Sequence, residues 1–94
     1  MNKDYVYWNL SEAKDEISRT LEDLAGDSTY GIVELVVAMA HTDHHLNTAW
    51  NARDASAESA RACSHADFDR WRQFPNAEEF TLQRHDGAEP AAAC

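Results

Sequence analysis

Glycine and proline are scarce in this chain, with 3 Gly and 2 Pro among 94 residues. No Gly-rich phosphate loop and no Gly-x-Ser-x-Gly elbow is present. Cysteine is almost as rare. Cys63 and Cys94 are too far apart to form a zinc-ligand pattern, and a disulfide between them is not expected in a reducing compartment. The longest apolar stretch, Tyr30 to Ala40, is interrupted by Glu34 and falls far short of the ~20 residues a membrane span needs. Met1 to Trp8 has no apolar signal-peptide core, so the expected compartment is the cytoplasm.

Basic residues are the other shortage. Lys and Arg total 8 against 17 Asp and Glu, for a net charge of −9. Neutralising phosphate needs lysine and arginine, so the balance argues against nucleic-acid binding and against docking on anionic lipid. The acidity is uneven. Residues 1–27 hold seven acidic and three basic residues, 28–52 hold two acidic and no basic ones, and 53–75 are balanced.

What is present favours helix. The hydrophobic fraction is 44%, with three each of Trp, Tyr and Phe, enough for one modest core. A chain of this mass buries about 64% of its unfolded surface. The spacing predicts a first helix from Ser11 to Ala25, with Ser11 as N-cap, acidic residues in its first turn and Gly26 as a left-handed stop. Leu10, Ala13, Ile17, Leu21 and Leu24 form its apolar stripe. A long second helix begins near Ser28 or Thr29, capped by Ser28 or Asp27. Its seam (Ile32, Val36, Met39, Asp43, Leu46, Trp50) alternates four- and three-residue steps. It either continues past 30 residues or bends near Ser56. A third helix, Ser64 to Phe74, has Ser64 and Asp67 as a loose capping box, and Pro75 stops it. Tyr5 to Trp8 is the one β-prone run and is read as an extended aromatic strap.

The fold expected is therefore all-α: a small three-helix bundle, made of a helical hairpin and a third helix, with an extended aromatic N-terminal segment. One domain covers residues 1–85, and a disordered tail covers 86–94.

The residues with chemical potential cluster on the second helix. His41, His44 and His45 fall within five positions, and His41 and His45 lie one turn apart on one face. On a helical wheel from Ile32, His41, His45 and Glu34 lie at about 180–220°, away from the apolar stripe. These three are a candidate set for zinc or another divalent metal, with His44 as an alternate ligand; a well-formed site needs three or four ligands, and a fourth would have to come from elsewhere, such as His65 or a partner subunit. Asp43 stands in the apolar seam, where a carboxylate needs a partner, and reads as a buried polar residue that fixes helix register. The block from His41 to Arg53 spends His, Asn and Trp where Glu and Lys would serve on a plain helix surface. His41, His44, His45, Asn47, Trp50 and Arg53, with Trp71 of the third helix, are the candidate partner-binding residues.

No motif demands catalysis, and no enzyme activity is expected. The reading favoured is a small acidic helical protein-protein interaction module, an adaptor, inhibitor or regulator, meeting a protein with a basic surface or forming a homodimer through the second helix. The alternative is a metal- or small-ligand-binding helical protein built on the histidine cluster.

Overall fold

The computed structural model describes residues 1–76. The expected tail at 86–94 and the C-terminal end of the expected domain lie outside the described residues. Four helices follow in order: α1 (Lys3–Gly26), α2 (Ile32–Asn51), α3 (Ala57–Ala62) and α4 (His65–Trp71). No strand occurs among the described residues, so the all-α class holds.

Helix α1 starts eight residues earlier than the sequence pattern suggests. Asn2 is its N-cap, and the Asn2 side-chain oxygen accepts the Tyr5 N–H at 3.1 Å. The same side chain donates to Ala55 O at 3.0 Å, while Asn2 N–H donates to Arg53 O at 2.6 Å. One residue thus caps α1 and ties its start to the turn after α2. The aromatic run Tyr5 to Trp8 is helical, not an extended strap. A cap and the packing of Tyr5 edge-on against Trp71 outweigh the β preference of these residues. Ser11 lies inside the helix and caps nothing. Gly26 is the last residue of α1 and does not adopt the left-handed conformation.

The α1–α2 turn is built on Asp27, whose carboxylate accepts the Thr29 N–H at 2.9 Å and the Thr29 hydroxyl at 2.6 Å. Helix α2 begins later than expected, at Ile32. Its N-cap is Gly31, whose N–H donates to the Glu34 carboxylate at 2.9 Å. Neither Asp27 nor Ser28 caps it.

Helix α2 stops at Asn51 rather than running on. The turn at 52–56 separates it from α3, so the expected three helices are four. Ser56 caps α3 and Ser64 caps α4, each hydroxyl accepting an N–H three residues on at 3.1 Å. The Ser64–Asp67 capping signal was therefore legible in the sequence. Between the two short helices Cys63 holds the left-handed conformation (φ 37°), the bend that lets α4 turn back onto α2.

Two asparagines of α2 clasp the end of α4. Asn47 Nδ2 donates to Arg72 O at 3.0 Å, and Asn51 Nδ2 donates to Trp71 O and Gln73 O at 2.7 and 2.6 Å. The last carbonyls of a helix have no intrahelical partner, and these amides supply one.

The most extensive contact in the described part is between α1 and α2. The buried residues along it are small or polar: Asn9 and Ala13 from α1, Ala38, Thr42, His45 and Ala49 from α2. Small side chains let the two helices approach closely. The apolar stripes expected to form the core lie elsewhere. Leu10, Ile17, Leu21 and Leu24 of α1 and Ile32, Val36, Met39 and Leu46 of α2 are all exposed. No helix among the described residues is long and apolar enough to cross a membrane.

Candidate functional site

Four polar side chains along the hairpin form one connected chain. Asn9 is 1% exposed. Its Nδ2 donates to Tyr5 O at 3.0 Å, one turn back on α1. That bond turns Oδ1 toward α2, where it meets His45 Nδ1 at 3.0 Å. His45 Nε2 lies 3.2 Å from His41 Nε2. His41 Nδ1 in turn lies 3.0 Å from Glu16 Oε2, which also accepts from Arg19 at 2.6 Å. The chain leaves α1 at Asn9, passes through two imidazoles of α2 and returns to α1 at Glu16.

Helical spacing produces this arrangement. Asn9, Ala13, Glu16 and Thr20 fall on one stripe of α1 at four- and three-residue steps, and Ala38, His41, Thr42, His45 and Ala49 fall on one stripe of α2. The two stripes face each other.

Proton accounting fixes the roles of the ring nitrogens. Asn9 Oδ1 can only accept, so His45 Nδ1 carries a proton. The Glu16 carboxylate accepts, so His41 Nδ1 carries one as well. Both Nε2 atoms are then lone pairs in the neutral rings, and they face each other at 3.2 Å.

The electrostatics agree with a neutral His45. Burial, then the neighbouring His44 and His41, hold it below the ordinary histidine value. His44 is held down by burial first and by His41 and Arg72 next, with Asp43 opposing. Burial pushes Glu16 up, but the bonds from His41 and Arg19 outweigh it, and its net shift is downward.

His44 points to the other side of α2, where its ring lies 4.8 Å from both His45 and Phe68 between centroids, and its Nδ1 is buried without a hydrogen-bond partner. A cleft of about 600 Å³ opens beside it, walled by Tyr5, Trp8, Phe68 and Trp71.

The residues singled out in the sequence are distributed as follows. His41 and His45 are brought together. Glu34 is not with them: its carboxylate caps α2 at Gly31, about two turns away, and Glu16 of α1 stands beside His41 instead. Among the described residues no three His, Cys, Asp or Glu side chains converge as a metal-ligand set.

Asp43 is exposed rather than buried, because the seam it stands in is itself uncovered. It accepts from Asn47 Nδ2 at 2.9 Å. His45, Asn47 and Trp71 are about 5–6% exposed and are spent mainly inside the fold. Trp50 lies under the Arg53 guanidinium, 4.0 Å from its ring centroid. The unusual composition of the 41–53 block thus reflects the inward clasp of α1 and α4 more than an outward face.

Asn9 and Glu16 are the residues that sequence reasoning missed. Their signal was available: both lie on a polar and small-residue stripe of α1, about 100° from the apolar one. Compared with protein-family models, curated proteins and solved structures, the chain matches none of them.

Proposed function

We propose that this chain is a small helical interaction module that self-associates through one face of the α1–α2 hairpin. The observation that carries this reading is the uncovered pair of apolar stripes. Leu10, Ile17, Leu21, Leu24, Ile32, Val36, Met39 and Leu46 are each 45–77% exposed. Both stripes lie on one side of the hairpin. Leu10 of α1 and Leu46 of α2 share the walls of a cleft of about 430 Å³ at one end of it, with Val6, Trp50 and Phe74. The wheel extends that face along both helices.

Eight such side chains expose roughly 800 Å², the area each partner buries in a standard interface and more than most monomers leave in one patch. The first two turns of α2 also expose Val33 and Val37, so that end is apolar nearly all round, as in a helix surrounded by others.

A second copy of the chain is the occupant this face fits. Its α2 seam has the four- and three-residue alternation of a helical bundle. A two-fold dimer places the same patch on both sides, which requires a patch without excess charge of one sign. By the wheel this face carries Lys3 and Lys14 with Asp43, while Glu12, Asp15, Glu22 and Asp23 of α1 turn away from it. Pairing two hairpins yields a four-helix bundle, and the acidic outer face stays free for a basic protein surface. That makes the module an adaptor or regulator rather than a catalyst.

Sedimentation equilibrium over a wide concentration range tests the reading. The chain is expected to be dimeric, and Leu21→Glu or Met39→Glu to be monomeric with unchanged helical circular dichroism. A wild-type chain that stays monomeric up to millimolar concentration overturns it, as does a dimer that neither substitution weakens.

A further inference from the structure

We propose that His41 and His45 form a two-imidazole clip for a divalent transition-metal ion of the zinc class, held open by Glu16 and Asn9.

The geometry has three parts. First, the two Nε2 atoms converge at 3.2 Å. Two nitrogens bound to one tetrahedral zinc at about 2.0–2.1 Å lie about 3.3–3.4 Å apart, so the separation of the two atoms suits one ion.

Second, both rings are aimed from behind. A ligating histidine ordinarily donates its other ring N–H to a carboxylate or a carbonyl-type oxygen, which sets the tautomer and strengthens the nitrogen as a donor. Here Glu16 Oε2 takes His41 Nδ1–H at 3.0 Å, and Asn9 Oδ1 takes His45 Nδ1–H at 3.0 Å. Asn9 is itself fixed by its bond to Tyr5 O. With both Nδ1 atoms carrying the proton, the neutral rings present their two Nε2 lone pairs 3.2 Å apart, where a metal ion can take both.

Third, the ligand set suits the ion. Imidazole is a preferred ligand of zinc and its transition-metal neighbours and a poor one for calcium or magnesium. His45 is 6% exposed, while the half-exposed side chain of His41 leaves a way in from solvent. The clip supplies two ligands. Water completes the shell.

The clip lies along the α1–α2 contact and uses residues of one chain only, away from the apolar face. It therefore stands or falls separately from self-association, and the monomeric variant Leu21→Glu is expected to bind the ion as the wild type does.

The test is titration calorimetry of the full chain, free of any polyhistidine tag, with Zn²⁺ in a non-chelating buffer, and with Co²⁺ as a spectroscopic probe of nitrogen ligation. One ion per chain is expected. His41→Gln is expected to weaken binding at least tenfold, and Glu16→Gln, which keeps an acceptor but removes the charge, about tenfold. His44→Gln and His65→Gln, outside the clip, are expected to leave affinity unchanged. Binding that His41→Gln does not weaken, or that His44→Gln weakens as much, overturns the proposal and assigns the signal to surface histidines. No heat with Zn²⁺ and no Co²⁺ absorption band in the visible region also overturns it.

Discussion

Asn9 of α1 and His45 of α2 hydrogen-bond at 3.0 Å in the most buried part of the hairpin, and each is also held by its own helix neighbour. The centre of this small fold is thus a polar contact flanked by alanines.

Removing that contact should be costly. Asn9→Leu leaves the His45 Nδ1–H buried without an acceptor. The expected loss is about 1–3 kcal/mol, read as a lower midpoint in urea denaturation with chelator present. A midpoint that does not move would mean that the hydrogen bond contributes nothing net.

Asp43 offers the opposite case. It is exposed in the single chain but lies within the face assigned to self-association. Asp43→Leu is expected to tighten the dimer at least tenfold, since an apolar side chain replaces a carboxylate that the interface would have to desolvate. Sedimentation equilibrium reads this directly, and weaker association would place Asp43 in a cross-chain pair.

Acid should destabilise the metal-free fold. His44 and His45 are held below the ordinary histidine value of 6.5, so the unfolded chain binds more protons than the native one as pH falls past that value. Stability is full above it and declines below. Glu16, held below the ordinary 4.5, adds a second decline at more acidic pH. His44→Phe removes one of these groups together with its unpartnered Nδ1, and should raise the melting temperature while flattening the decline between pH 7 and 5. Melting curves across that range check both effects.

Glu34 caps α2 rather than joining His41 and His45, and Glu16 stands beside His41 instead. Glu34→Ala should cost about 0.5–1 kcal/mol through loss of the Gly31 cap and leave zinc affinity unchanged. If instead zinc affinity falls with Glu34→Ala and not with Glu16→Gln, the set Glu34, His41 and His45 is restored.

Ser64→Ala should cost about 1 kcal/mol. Helix α4 has seven residues, and the Ser64 hydroxyl is its N-terminal side-chain cap. Faster amide exchange confined to 65–71 is the expected signature.

How much of this was legible beforehand follows from what periodicity measures. The spacing of Leu10, Ile17, Leu21 and Leu24, and of Ile32, Met39 and Leu46, identifies residues that share a face, and they do share one. It cannot say what covers that face. The same pattern serves an intramolecular core and a surface between chains, and here the hairpin closes through the neighbouring stripe. The pairing of His41 with His45 was readable from their separation of four residues. Their partners Glu16 and Asn9 were not, because they stand 25 and 36 positions away on another helix.

The sequence by itself determined the all-α class, the cap at Ser64, the shared faces and the acidic character of α1. Composition and three- and four-residue spacing are local quantities, and helices form from local bonds. The tertiary structure alone decided that α1 reaches back to Lys3, that α2 ends at Asn51, and that alanines with Asn9 and His45 form the contact while the leucines stay outside. Close approach of two backbones selects small side chains. A buried amide and imidazole can be tolerated there only because each finds its partner on the opposing helix.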